Sequence, residues 1–259
     1  MVEKIGKMIK DFVDSYPAER KIGSIWKEPL VGFASAQDPG FLALKKAVSP
    51  SHALPQDFLR EAKTVIAYFL PFAERIAESN IDGASASKEW AEAYIETNKM
   101  IFDLNSYLKA QFAQLGYASV SIPATHNFDE KRLVSDWSHR HVAAIAGLGT
   151  FGLNNMLITD KGCCGRIGSL ITDIPLTLPK IDAEERCLYK YNSSCGKCVG
   201  RCVNNALTLA SFDRHKCYEA CLHNSKVHET IGFADVCGKC LVNLPCSFTN
   251  PVKRLGKFG

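Results

Sequence analysis

The sequence predicts an α+β (α/β) domain over residues 1–180 followed by a small cysteine-rich module over residues 181–259. Helix and strand signals alternate through the first part of the chain, and nine of its eleven cysteines fall between Cys187 and the last residue, Gly259. Between the two regions lies a proline-containing polar stretch, Leu176–Glu185 (LTLPKIDAEE), of the kind that breaks regular structure. Hydrophobic residues at 46% and charged residues at 22% are ordinary globular usage and exclude a disordered or fibrous protein. The longest apolar run, Thr64–Phe72 (TVIAYFLPF), is far short of the ~18 residues of a membrane span, so no membrane partner is expected.

At the N-terminus Ile5, Met8, Ile9, Phe12 and Val13 recur at helical spacing among charges, unlike the unbroken apolar core of an export signal. A helix and a cytoplasmic location are expected. Leu30–Ser35 (LVGFAS) reads as a strand, Phe41–Val48 as a short helix, and Pro55 suits a first helical turn, where its missing N–H is harmless. Thr64–Phe69, β-branched and aromatic, reads as a buried strand. Lys88–Leu115 carries Tyr94, Ile101, Leu104, Leu108, Phe112 and Leu115 on one helical face, with Gly116 at its end. Tyr117–Ile122 alternates like a strand, and a helix is expected over Glu130–Ala146, ending at the glycine run Gly147–Gly152. Two strands, Asn155–Thr159 and Gly168–Thr172, should flank a hairpin loop holding Cys163 and Cys164.

The tail reads Cys187 x7 Cys195 xx Cys198 xxx Cys202, then Cys217 and Cys221, then Cys237 xx Cys240 x5 Cys246. In a chain without an export signal this density means metal or redox chemistry and not a disulfide scaffold. The bacterial two-cluster ferredoxin run is CxxCxxCxxxCP, whose fourth cysteine ligates the other cluster. Cys195, Cys198 and Cys202 keep its CxxCxxxC part, with the first ligand displaced to Cys187 and Val203 in place of the proline. A zinc Cys₄ site is the competitor, but it has no use for the CxxxC step that sends one ligand to a second cluster. From Arg186 onward eleven Lys and Arg face four Asp and Glu; two clusters at about −2 each would absorb much of that excess without nucleic acid.

Asp136, His139 and His141 lie just before the glycine run, where a reductase could use a proton donor. Gly147, Gly149 and Gly152 could let backbone approach a planar cofactor or could simply cap the preceding helix. Because they follow a helix and not a strand, a dinucleotide is not implied.

With the tail cysteines and Ser138–Thr172 in hand, the chain resembles the epoxyqueuosine reductase family. Ala146–Gly149, Gly152, Asn154, Met156–Ile158 and Thr172–Leu176 (TDIPL) match its Ala-Gly-Leu-Gly turn, its following strand and its Thr-Asp-x-Pro-Leu segment in order. The resemblance implies a cobalamin-binding, nitroreductase-like α/β domain, with Gly147, Leu148, Gly149, Phe151, Gly152 and Asn154 at the corrin, joined to a ferredoxin-like domain with two [4Fe–4S] clusters. By position, Cys187, Cys195, Cys198 and Cys246 would hold one cluster and Cys202, Cys217, Cys237 and Cys240 the other, with Cys217 and Cys221 exchangeable. It further implies an external electron donor of ferredoxin or flavodoxin type and a small-molecule or nucleoside substrate. The family's catalytic Asp-x-x-Pro-x-x-Glu stretch falls, without gaps, on Leu133-Val-Ser-Asp136-Trp-Ser-His139. Its acid, proline and glutamate are replaced, and the thirteen residues after Cys246 leave no room for the helical-repeat extension of longer members; both argue against reduction of a tRNA epoxide. Two functions are therefore expected: a corrinoid-dependent reductase, or an electron carrier or reductive activator that docks a partner.

Overall fold

The computed structural model describes residues 1–178 and 184–255. Its centre is a four-stranded sheet in the order β1-β2-β6-β3: β1 (Leu30–Ser35), β2 (Thr64–Pro71), β3 (Ser119–Ser121) and β6 (Gly165–Thr172). Every pairing is antiparallel, with Leu30 opposite Phe69, Thr64 opposite Thr172, and Ser119 also opposite Thr172. The architecture is thus α+β; the alternative α/β description would call for parallel strands.

Strand β2 is buried along its whole length because helices cover both faces of the sheet, which is why it reads as a continuous apolar run. Its side chains alternate between two cores. Ile66, Tyr68 and Leu70 pack with Ile5, Ile9 and Val13 of α1 (Val2–Arg20) and with Met100, Leu104 and Leu108 of the long α5 (Lys88–Gln114). Val65, Ala67 and Phe69 pack with Phe41 of α2 (Pro39–Ala47), with Trp137, and with Val142 and Ala143 of α6 (His139–Ile145). Two short helices, α3 (Pro55–Phe58) and α4 (Glu74–Ser79), complete the first half.

The expected helix over Glu130–Ala146 is half loop, and only α6 is helical. The Asp129 carboxylate accepts the N–H groups of Lys131 and Arg132, both at 2.9 Å, and Leu133 turns at φ 52° so that Asp129 and Val134 pair across a tight turn. This side-chain capture of the backbone outcompetes helix propensity there. The glycine run holds a strand that was not expected, β4 (Gly149–Phe151), which pairs with β5 (Leu157–Thr159) in a small second sheet.

The cysteine module contributes α7 (Leu188–Asn192), α8 (Lys197–Gly200), α9 (Arg214–Val227) and α10 (Pro251–Leu255), and it is fastened to the rest by buried polar contacts. Lys239, 1% exposed, donates to the Asn80 and Asp82 carbonyls at 3.0 and 2.6 Å, and Asn80 donates to Cys237 O at 2.9 Å. The expected boundary at 180/181 lies outside the described residues. Cys163 and Cys164 do not stand apart in a hairpin loop; they are buried against the module, with Cys163 N–H on Cys246 O and Cys164 N–H on Ser247 O.

Candidate functional site

Local structure brings four of the tail cysteines around one pocket. Cys187 is the residue before α7, Cys195 precedes α8 and Cys198 lies within it. With Cys246 they line a pocket whose other walls include Gly152, Asn154, Ile158, Pro245 and Pro251. Burial pushes the Cys198 thiol up to about 11, and the neighbouring Cys246, Cys187 and Cys195 add to the shift. Cys202 lies just past the C-terminal end of α8. Burial and then the nearby Cys237, Cys217, Cys202 and Cys198 push the Cys240 thiol well up. Cys217 and Cys221, one turn apart on α9, share a hydrogen bond that holds Cys217 down at about 7, helped by Arg140, and pushes Cys221 up.

Among the described residues no group of three or more His, Cys, Asp or Glu is set up to hold a single metal ion. An all-thiol donor set suits soft metals. The sulfide cage of a [4Fe–4S] core spreads its four thiolates farther than a lone Zn²⁺ with bonds of ~2.3 Å does.

The glycine run is engaged within the protein. Helix α6 ends in a Schellman motif: Gly147, at φ 78°, donates to Ala144 O and Leu148 N–H donates to Ala143 O. A Cβ on Gly149 would lie 2.2 Å from Ile158 O, and one on Gly152 would lie 2.8 Å from the Asn154 side chain. Their missing side chains serve the β4–β5 pairing. Leu148 O accepts from the buried Arg186 at 2.6 Å, Phe151 O accepts from Lys190 at 2.6 Å, and the buried Asn154 amide donates to Cys240 O at 2.8 Å. The run is thus a bracket that seats the cysteine module against the sheet.

The three acid candidates part company. His139 is buried at the end of a hydrogen-bonded chain: Trp137 Nε1–H donates to Ser169 Oγ at 3.1 Å, Ser169 bonds His139 Nδ1 at 2.9 Å, and His139 Nε2 bonds Pro123 O at 3.1 Å. A carbonyl only accepts, so Nε2 carries the proton and Nδ1 accepts the Ser169 hydroxyl. Burial pushes this ring down to about 4, so it is neutral and has no proton free for a substrate. His141 is half-buried, bonded through Nδ1 to Ser138 Oγ at 2.7 Å with its ring 4.6 Å from that of Phe151; burial, then Arg140 and His52, push it down to about 4. Asp136 is half-buried and accepts from Ser51 Oγ at 2.5 Å. Sequence reasoning missed Ser51, His52 and Arg140. His52, in a loop with no periodic signal, accepts the Ser138 N–H at 3.1 Å, and Arg140, in the first turn of α6, faces Cys217 and Cys240.

No family model and no curated protein matches the chain. Solved structures do. A selenomethionine-labelled epoxyqueuosine reductase is similar at TM-score 0.54 and 18% identity, over 93% of this chain and 66% of its own. The Bacillus subtilis enzyme, with its catalytic aspartate loop swung out of the active site, is similar at 0.53 and 17%, with the same coverages. A reductive dehalogenase whose structure suggests a mechanism for B12-dependent dehalogenation is similar at 0.54 and 17%, over 88% of this chain and 32% of its own. The chain thus spans just under two thirds of the epoxyqueuosine reductases and a third of the dehalogenase. Over about nine-tenths of its length it has a fold shared by epoxyqueuosine reductases and reductive dehalogenases.

Proposed function

We propose that this chain is an iron–sulfur redox protein that takes electrons from a ferredoxin- or flavodoxin-type donor and passes them singly to an acceptor near the α6 end. The observation that supports the reading is the pocket lined by Cys187, Cys195, Cys198 and Cys246, together with the ferredoxin-like CxxCxxxC spacing of the tail. Cys187, Cys195, Cys198 and Cys246 would hold one [4Fe–4S] cluster, and Cys202, Cys217, Cys237 and Cys240 the other; such clusters supply one-electron transfer. Asn154, Arg186 and Lys239 hold the module in register with the sheet. Asp136 presents a carboxylate beside α6 that accepts the Ser51 hydroxyl, whereas His139 has both ring nitrogens committed.

The glycine run offers a corrin little open backbone, since Gly149 lies against the Ile158 carbonyl and Gly152 against the Asn154 and Ile158 side chains. The corrin part of the reading is supported by the fold shared with a B12-dependent dehalogenase. The engaged glycines favour the second reading, an electron carrier or reductive activator without substrate chemistry.

Anaerobically purified protein should contain about eight iron and eight sulfide per chain, and stoichiometric zinc without sulfide overturns the proposal. Titration with reduced cobalamin then separates the readings: a perturbed corrin spectrum supports the reductase, and an unperturbed one leaves the electron carrier.

A further inference from the structure

From Arg186 to Tyr218 the chain carries six Lys and Arg and a single acid, Asp213. That carboxylate is engaged by the N–H groups of His215 and Lys216, at 3.0 and 3.1 Å, where α9 begins. Lys197 and Lys216 are exposed, and among the described residues neither forms an ion pair. A hairpin runs from one to the other: Leu207 pairs with Phe212, Thr208 N–H donates to Ser211 O at 2.9 Å, and Asp213 N–H donates to Ala206 O at 2.8 Å. Its tip reaches back to α8, since a Cβ on Gly196 would stand 3.2 Å from a Leu209 methyl. Leu209 therefore lies over the residue that joins Cys195 to Lys197. The Asn204 amide donates to Lys216 O, which draws Val203 beside the second lysine. Val203, Leu209 and Phe212 remain 43%, 54% and 39% exposed. Three large apolar side chains thus stand in water among cations, next to one of the cysteines that line the pocket.

An apolar centre within a charged rim is the anatomy of a protein interface. Nucleic acid would gain less from it, because phosphates are met by cations and unstacked bases by aromatic rings, and Val203 and Leu209 offer neither. We infer that this face docks an acidic, flavodoxin-type protein and brings its flavin up to Leu209, beside Cys195. The cations steer an acidic partner and set its orientation. The apolar centre suits a flavin, whose dimethylbenzene edge is an apolar redox edge, better than a cluster enclosed by its own polypeptide. An anionic flavin hydroquinone that gives up one electron becomes the neutral semiquinone, so no proton changes hands, and the oxidised cluster takes the electron. The inference rests on the iron–sulfur reading and deepens it by choosing between its two classes of donor.

The experiment mixes anaerobically purified protein with an acidic flavodoxin in its hydroquinone form and follows the bleaching of the clusters by stopped flow, with iron counted in each variant. Lys197→Glu should lower the second-order rate about tenfold at low ionic strength and should rejoin the wild type at ~1 M salt, where screening acts within ~3 Å. Leu209→Asp should lower it about tenfold at either salt concentration, since it removes apolar contact. Lys109→Glu, an equal change of net charge on α5, should change it little. Dithionite, too small to need a dock, should reduce all four proteins alike. Wild-type rates in both Lys197→Glu and Leu209→Asp overturn the inference, as does an equal loss in Lys109→Glu, or reduction by an acidic ferredoxin and not by the flavodoxin. If Lys197→Glu loses iron, Leu209→Asp decides alone. Carbodiimide, which joins lysine to carboxylate with no spacer, should couple the flavodoxin at Lys197 or Lys216. Coupling only at other lysines overturns the inference, and so does its abolition by an equimolar tRNA stem loop, which would assign the face to RNA. Protein without iron and sulfide would overturn the function proposed above, while the coupling pattern would still decide the dock.

Discussion

Replacing His139 by Gln should reverse its effect on stability between pH 7.5 and pH 5.0. The folded protein holds the ring neutral down to about 4, whereas the unfolded chain takes up a proton below the ordinary value of 6.5. The contribution is therefore fully present above 6.5 and is lost as pH falls toward 4. At ~1.4 kcal/mol per pH unit the full loss is about 3 kcal/mol, of which about 2 kcal/mol is gone by pH 5. Gln can keep the donor to Pro123 O but gives Ser169 no acceptor in the place of Nδ1, so at pH 7.5 the variant should be about 1 kcal/mol less stable. At pH 5.0 it should be about 1 kcal/mol more stable, because it has nothing to protonate. Urea midpoints followed by far-ultraviolet circular dichroism under anaerobic conditions read both values. Acid lability of the clusters and titration of His52 and His141 are common to both proteins and cancel in the difference. An equal gap at the two pH values would refute the claim that His139 is held neutral.

Trp137→Phe removes the indole donor to Ser169 and keeps the ring volume nearly filled, so it should cost about 1 kcal/mol, read as a lowered urea midpoint at pH 7.5; no change would mean the hydrogen-bonded chain carries no weight. Asn154→Leu removes the bonds from Asn154 to Cys240 O and from Met156 N–H to Asn154, and should cost about 2 kcal/mol and speed iron release to a chelator, with an unchanged release rate speaking against the bracket. Arg186→Met leaves the buried Leu148 carbonyl without its charged donor and should cost about 2 kcal/mol, again read from the urea midpoint.

The elements the sequence shows most clearly are those whose period and burial agree. β1 is placed as read, β2 runs two residues beyond the expected Phe69, and α5 ends one residue before the expected Leu115. Leu104, Leu108 and Phe112 are buried as the helical face requires, while Leu115, after the last helical residue, is 41% exposed. The antiparallel order was not legible, because a strand covered on both faces has the same apolar run whichever way its neighbours point. The gathering of Cys187, Cys195 and Cys198 followed from their closeness in sequence, whereas the arrival of Cys246 at the same pocket depends on the return of the chain after Leu241. The roles of the glycines were not legible: Gly149 and Gly152 are needed by Ile158 and Asn154, contacts that depend on how β4 and β5 pair.

The assignment of Leu133 as the counterpart of a catalytic aspartate depends on treating residues 130–146 as one helix. Within a helix a gapless match has force, because one inserted residue rotates everything after it by more than a quarter of a turn. Residues 122–138 are instead an irregular segment fixed at separate points: the turn at Asp129–Val134, the hydroxyl of Ser135 on His126 O at 2.6 Å, and the backbone of Asp136. Asp136 N–H donates to His126 O at 3.1 Å and its carbonyl accepts from Ala53 at 2.8 Å, so this residue is anchored just before α6 whatever the loop before it does. A shift of three residues along such a loop alters the turn and leaves the anchor in place. Leu133, at positive φ inside the turn, therefore carries little weight as a lost acid. The carboxylate that the fold presents beside α6 is Asp136, with its oxygen on Ser51 and its neighbour Trp137 locked into the core.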